Sequence, residues 1–328
     1  MNFIKSFQQS ILNTNESNFE FHALEVFRFQ AQNNIVYQRY LDSLNIDVKL
    51  VTRIDEIPFL PIDFFKKHRV VAGNWKPEVV FESSGTTGAV RSKHEVIDKK
   101  FYQKYSSVLF ENTFGTLNKL NIMALLPSYD DRKGSSLISM VSNLIKLTKS
   151  KESGFFLNDI DALVKKLMTV DKSRKTILFG VTFALLDLAE IIEADLSNIV
   201  VIDTGGMKGR REEVTKNELY GVLQDRLNIT DVYSEYGMTE LMSQAYGYRG
   251  EFVLPEQMRV RIRETNDPFS YVELEGKVGA VNIIDLANVH SCAFIETQDL
   301  GRMTGTNSFE ILGRMDNSEI RGCNLMVS

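Results

Sequence analysis

Short apolar runs set at intervals constrain this chain more than any other feature: NIMALLPSY (Asn121–Tyr129), KTILFGV (Lys175–Val181), SNIVVIDTGG (Ser197–Gly206) and ITDVYSEYG (Ile229–Gly237). Each is rich in Ile, Val, Leu or aromatic residues and too short for a buried helix, which predicts strands. Between them lie stretches with helical spacing: Ser135–Lys146, Asp159–Val170, TFALLDLAEII and REEVTKNELYGVLQDRLN. Strands alternating with helices imply a largely parallel sheet with helices packed on it.

The flanking regions have a different texture. From Asn2 to Leu50 apolar residues recur at three and four spacings, predicting two or three helices. In IDEIPFLPIDFFKKHRV, Pro58 and Pro61 forbid a continuous helix and Phe59, Leu60, Phe64 and Phe65 supply anchors, so an extended connector docked on a core is expected. Val79 to Phe81 reads as a strand and Asp98 to Thr113 as an amphipathic helix. Beyond Glu251, Arg259–Arg263, Gly279–Leu286, Ser291–Glu296 and Phe309–Leu312 read as short strands of a small barrel or appended sheet. Three regions result: a helical segment with its connector (1–78), an α/β core (79–250) and a β-rich subdomain (251–328).

At 328 residues, with 43% apolar and 25% charged, the chain can bury a sizeable core. The net charge of −5 and scattered Lys and Arg argue against a nucleic-acid partner. No stretch has the apolar length of a membrane span and the N-terminus has no signal-peptide pattern, so a cytoplasmic location is expected. Cys292 and Cys323 stand apart from any metal or disulfide spacing and are expected as free thiols.

In parallel α/β sheets ligands sit outside the carboxyl ends of the strands. Four strand ends here carry unusual residues: SSGTTG (Ser83–Gly88), TGGMKGR (Thr204–Arg210), SEYGMTE (Ser234–Glu240) and TQDLG (Thr297–Gly301). SSGTTG can curl so that amides and hydroxyls converge on an anion, although the same residues make ordinary surface turns. It is not a Walker loop, because the Lys-Ser/Thr pair after the second Gly is absent. In YSEYGMTE, Tyr236 offers a flat face for a purine, Gly237 a close backbone approach, and Thr239 with Glu240 hard oxygens for Mg²⁺ or phosphate. The alternative is a strand, a turn and a helix capped by Thr239. Asp299 is expected on a loop, suited to ribose hydroxyls or simply to a turn. Arg314 beside Asp316 in GRMDNSEIRG suits a charge contact and a pivot, or a solvated hairpin. His94, just after the loop, could line the acyl or phosphate side, but with no ligand spacing around it reads as structural.

In their order and spacing these motifs resemble the adenylate-forming superfamily of acyl- and aryl-CoA synthetases, adenylation domains and luciferases. The resemblance implies an α/β fold of layered, mostly parallel sheets flanked by helices, with a β-rich C-terminal subdomain. It implies that Ser83, Ser84, Gly85, Thr86, Thr87 and Gly88 hold the phosphates of ATP, that Gly205, Gly206, Tyr236 and Gly237 lie around adenine, and that Thr239 and Glu240 serve phosphate and Mg²⁺. Asp299 and Arg314 are then the ribose contacts.

The chain also departs from the pattern. Val90-Arg91 stands where the superfamily often has Pro-Lys, which makes Arg91 the candidate cation beside the pyrophosphate. The sequence ends at Ser328, just past the hinge motif, so the small C-terminal lid domain and its catalytic Lys are expected to be absent. IPFLPIDFFKKH, SSGTTG, TGGMKGR and the ending GRMDNSEIRGC together resemble the acyl-protein synthetase (LuxE-type) branch, related to phenylacetate-CoA ligases. Members of that branch make an acyl-adenylate from a fatty acid and pass the acyl group to a cysteine near their own C-terminus, then to a partner reductase. Cys323 is the matching position. The expected activity is therefore ATP- and Mg²⁺-dependent activation of a carboxylic acid, followed by transfer to Cys323, to a carrier or reductase, or to CoA. The competing readings are an acyl- or aryl-CoA ligase without its lid and a degenerate ATP-binding scaffold.

Overall fold

The structure is a computed structural model and describes residues 2–84, 90–128, 134–171, 173–205, 215–272 and 274–315. Helix α1 (Asn2–Ser10) buries Ile4 and Phe7, and α2 (Phe19–Asn33) buries Ala23, Val26, Phe27, Gln30 and Ala31. Asn34 starts α3 (Ile35–Ser43) by accepting the N–H groups of Val36 and Tyr37 on its side-chain oxygen, a standard remedy for the unpaired donors of a first turn. The proline-bounded connector is extended through β1 (Leu60–Pro61) and then makes one turn, α4 (Phe64–Lys67).

Next, β2 (Val79–Glu82) and β3 (Lys93–Val96) pair antiparallel, so the SSGTTG stretch links two strands. Asp98 caps α5 (Lys99–Phe114) by accepting from the N–H of Phe101. The alternation follows: β4 (Leu120–Leu125), α6 (Ser136–Thr148), β5 (Gly154–Phe155), α7 (Ile160–Thr169), β6 (Lys175–Gly180), α8 (Thr182–Ile191), β7 (Ile199–Asp203), α9 (Lys216–Leu227) and β8 (Val232–Tyr236). Strands β5, β4, β6, β7 and β8 lie side by side and parallel. Most residues of β4, β6 and β7 are buried, because helices cover both faces: α5 sets Phe110 and Phe114 against Phe179 and Tyr233, while α8 sets Thr182 against Asp203.

The sheet then turns antiparallel through β9 (Ala245–Tyr248) and β10 (Glu251–Val253), a hairpin that the sequence reading did not anticipate. Its two-residue turn places Arg249 and Gly250 at φ 50° and 93°. Positive φ at both central positions matches the right-handed strand twist, and only Gly meets it without strain.

Strands β11 (Met258–Arg263), β12 (Gly279–Asp285), β13 (Phe294–Gly305) and β14 (Ser308–Arg314) form an antiparallel run, with β1 added parallel to β13. The described residues fall into two compact units: one joins the residues up to Asn74 with those from Glu256 onward, and the other is Trp75–Pro255. The helical and β-rich regions, read separately from sequence, thus share one core. Phe27, Tyr37, Phe59 and Phe294 meet there at ring separations of 6.0–6.3 Å, and Tyr37 donates to the carbonyl of Pro58. No helix among the described residues is long and apolar enough to cross a membrane.

Gln30 holds α2 to the β12–β13 connection. Fully buried, it donates to the carbonyls of Asn288 and Val289 at 3.0 and 3.1 Å and accepts from the N–H of Ala293 at 2.9 Å. Gln30→Leu strands three buried backbone groups and is expected to lower stability by about 3 kcal/mol or more. Urea unfolding checks this; a loss below about 1 kcal/mol means water or a backbone shift replaces the amide.

Candidate active site

In the Trp75–Pro255 unit, parallel pairing aligns Gly180 with Asp203 and Asp203 with Ser234, so β6, β7 and β8 end at one edge. The chain leaves that edge as Val181-Thr182, Thr204-Gly205 and Gly237–Glu240. The Asp203 carboxylate is buried and accepts from the Thr182 hydroxyl at 2.8 Å and the Gly205 N–H at 3.1 Å. Burial pushes this carboxyl above the ordinary range, and the two donors hold part of the shift back. Gly205 has φ 71°, and a side chain there would meet nothing within 4 Å, so its backbone faces open space. Gly206 lies outside the described residues.

The Gly237–Glu240 segment is a turn followed by no helix, so Thr239 caps none. The buried imidazole of His94 fixes it instead: Nδ1 donates to the Thr239 carbonyl at 2.9 Å. Glu240 is 4% exposed. Tyr236 is buried too, its ring 5.6 Å from that of Phe252.

At the β2–β3 hairpin, Ser83 bonds to Ser92 on the facing strand side: its N–H donates to the Ser92 carbonyl and its hydroxyl accepts from the Ser92 N–H. Ser84 is exposed. Gly85, Thr86, Thr87 and Gly88 lie outside the described residues. Arg91 and Lys93 each sit 3.8 Å from the Glu82 carboxylate. Lys93, a second cation at the same base, was not singled out in the sequence.

In the other unit, Asp299 lies within β13 rather than on a loop. The strand carries a bulge there: Ala280 pairs with Leu300 and Asn282 with Glu296, so Thr297, Gln298 and Asp299 stand opposite the single residue Val281. Arg263 fills the space, donating to Asn282 Oδ1 at 3.0 Å and the Thr297 carbonyl at 3.2 Å and pairing with Glu296 at 3.1 Å. The Asp299 N–H donates to Thr297 Oγ1, and across the strands Arg314 reaches the Asp299 carboxylate at 3.3 Å. Gln298 donates to Asp63, which ties the proline-bounded connector to this strand. Asp316 and Cys323 lie outside the described residues.

A residue that sequence reasoning passed over stands beside Tyr236. Glu235 is partly buried on the β8 face shared with Tyr246, and burial together with the Asp203 carboxylate pushes its carboxyl up to about 7. The folded chain therefore holds this proton more tightly than the unfolded chain, and stability falls as pH rises from the ordinary glutamate value of about 4 toward 7. Glu235→Gln is expected to match the parent at pH 4 and exceed its stability by about 1–3 kcal/mol at pH 8. Denaturant unfolding at both pH values checks this; equal stability at pH 8 contradicts it.

The fold has relatives among solved structures. ATP-bound MatB from Rhodopseudomonas palustris matches with a TM-score of 0.54 at 15% identity, over 74% of this chain and 49% of that one. A 2-hydroxyisobutyryl-CoA ligase in complex with 2-HIB-AMP and CoA matches with a TM-score of 0.67 at 13% identity, over 95% and 69%. The o-succinylbenzoate CoA synthetase MenE from Bacillus subtilis, with ATP and magnesium, matches with a TM-score of 0.50 at 17% identity, over 72% and 49%. At these identities the likeness gives the fold, that of the adenylate-forming ligases, and the chain spans about half the length of MatB and MenE. Comparison with curated proteins gives no match. A family description, acyl-protein synthetase LuxE, matches residues 7–328, nearly every residue from the first helix to the chain's last, and the chain belongs to that family.

Proposed function

We propose that this protein activates a carboxylic acid with ATP and hands the acyl group to a thiol. The observation that carries this reading is the common edge of β6, β7 and β8, which groups Asp203, Thr204 and Gly205 with the Gly237–Glu240 turn. Among them, Gly205 and Gly237 are positions that the resemblance assigns to adenine, and Thr239 and Glu240 positions that it assigns to phosphate and Mg²⁺. The residues suit such a ligand: Gly205 presents backbone to open space, and Glu240 offers a buried carboxylate. Mg²⁺, when bound, would offset phosphate charge, with Glu240 as its proposed protein ligand.

In the proposed first step an oxygen of the substrate carboxylate attacks the α-phosphorus of ATP. The bond from that phosphorus to its bridging oxygen breaks, and pyrophosphate leaves. A thiolate then attacks the acyl carbon of the acyl-adenylate; AMP leaves, a thioester forms, and the thiol proton goes to water. Neither step needs a strong general base, so the protein's part is positioning and charge. Ser84, Gly85, Thr86, Thr87 and Gly88 are proposed to hold phosphates with Arg91, while Gly205, Gly206 and Tyr236 flank adenine and Asp299 with Arg314 takes the ribose. On the family's pattern the acid is a fatty acid, the first acceptor is Cys323, the next is a carrier or reductase protein, and the location is cytoplasmic. CoA is the competing acceptor.

Asp299→Ala removes a charge-assisted acceptor at a position 7% exposed. A loss of about 1.5–3 kcal/mol in ATP binding is expected, roughly ten- to a hundred-fold in Kd. Unchanged affinity by calorimetry would remove Asp299 from the ribose site. For the transfer step, incubation with ATP, Mg²⁺ and a fatty acid should add one acyl group by intact mass, released by neutral hydroxylamine. Cys323→Ser should abolish the adduct and leave ATP–pyrophosphate exchange intact. If the parent forms no adduct and releases acyl-CoA when CoA is supplied, CoA is the acceptor.

A further inference from the structure

Glu235 and Gln244 meet where β8 reaches the candidate site. Glu235 pairs with Tyr246 across β8 and β9, and Gly237 and Gln244 lie two residues on in each direction, so all four occupy one face of the sheet. Gly237 is exposed, and a Cβ added to it would collide with the Glu235 carboxyl and lie 3.5 Å from Cγ of Gln244. The Glu235 side chain thus runs along the strand toward the Thr239-Glu240 turn, its carboxyl folded over bare backbone. Helix α5 covers the same face: its Tyr102, like Tyr246 of β9, feels the Glu235 carboxylate, and the Phe81 ring lies tilted against that of Tyr102 at 5.0 Å.

The chemistry here is incomplete in one direction. Gln244 is 5% exposed; its Nε2 donates to the Met242 carbonyl, but its Oε1 is buried without a hydrogen-bond partner among the described residues. Glu235 has close carboxylate and tyrosine neighbours and no hydrogen bond among the described residues. Two acceptor-bearing side chains therefore flank Gly237, neither hydrogen-bonded to the other among the described residues, and leaving an ionised carboxylate and an amide oxygen unpaired when a ligand shuts out water is costly. An anion is repelled there by Glu235 and by nearby Asp203. An unsubstituted alkyl chain leaves both acceptors stranded. A neutral or cationic donor satisfies both.

We propose that Glu235 and Gln244 select an acid bearing a hydroxyl or amino group close to its carboxyl end. This rests on the acid-activation reading above and narrows its substrate class. The position follows from Gly237, which the proposed function sets beside the nucleotide: the Glu235 carboxyl lies over that glycine, so the part of the acid next to its reacting carboxyl is the part that meets it.

The test is ATP–pyrophosphate exchange with acids matched in length, either unsubstituted or carrying hydroxyl or amino groups on the first carbons. The parent is expected to favour substituted acids by about ten-fold or more in kcat/KM. Glu235→Leu should reduce that ratio to about three-fold or less, with ATP affinity measured alongside to recognise a misfolded variant. Glu235→Gln, which keeps shape and an acceptor oxygen, should retain the hydroxy preference and lose the amino one. Unsubstituted acids exchanging as fast as substituted ones, or a ratio unchanged in Glu235→Leu, overturns the inference and leaves the activation reading standing. Exchange with no acid of any class, in protein that binds ATP, removes both.

Discussion

The register that sets Gly180 beside Asp203 and Asp203 beside Ser234 is the constraint on which the Trp75–Pro255 site depends. Parallel strands end together, so segments far apart in sequence leave the sheet at one edge. A one-residue slip of β7 would turn Asp203 to the opposite face, away from the Thr182 hydroxyl that accompanies its burial. The apolar runs resist that slip because both faces are covered. Phe179 and Tyr233 must meet α5, while Ser234 and Asp203 must meet α9 and α8. Sheet packing and site geometry are therefore one requirement.

The other unit solves a similar problem with polar groups. The β13 bulge that sets Asp299 in place would leave a gap in the ladder and unpaired carbonyls beside it. Arg263, 3% exposed, answers with Asn282, Glu296 and the Thr297 carbonyl. A buried ion pair rarely adds much net stability, because desolvation offsets the attraction. Its geometry is demanding, however, and a planar guanidinium can satisfy a side-chain oxygen, a carboxylate and a backbone carbonyl at once. The pair therefore acts on the shape of the bulge. Parallel pairing of Leu60 with Ile295 and of Pro61 with Glu296 secures the strand just before it.

What could be read from sequence follows this division. Runs such as NIMALL, TILFG and IVVID are fully buried, so their composition alone declares them strands, and Asp98, Ser135 and Asp159 mark helix starts by capping. The β9–β10 hairpin was illegible because AYGYRGEFV mixes glycine and charge, and its logic lies in the backbone of Arg249-Gly250. Asp299 read as a loop residue because Gln-Asp-Leu-Gly has turn composition; the strand it occupies is held by distant partners. The strand ends of the nucleotide motifs were legible because glycine and hydroxyl residues interrupt apolar runs there. Glu235 and Gln244 were not, since a polar residue at a strand edge is ordinary until cross-strand pairing places the two together. His94 read as structural and is buried, yet its hydrogen bond sets the Thr239 carbonyl.

A chain of net charge −5 proposed to bind a polyphosphate needs a local answer to repulsion, and the titration of its carboxyls supplies part of one. Asp203 and Glu235 both sit above the ordinary carboxylate range because burial disfavours their charged forms. Near neutral pH Glu235 is only partly ionised, so the edge is less negative than a count of acidic residues suggests. Cations add to this from the hairpin. Arg91 and Lys93 share Glu82 at 3.8 Å, with more than half of each side chain exposed. Exposed pairs at that separation are weak, about 0–1 kcal/mol, so either side chain can leave Glu82 for a phosphate at small cost. Glu82 keeps two cations near the loop without competing strongly for them.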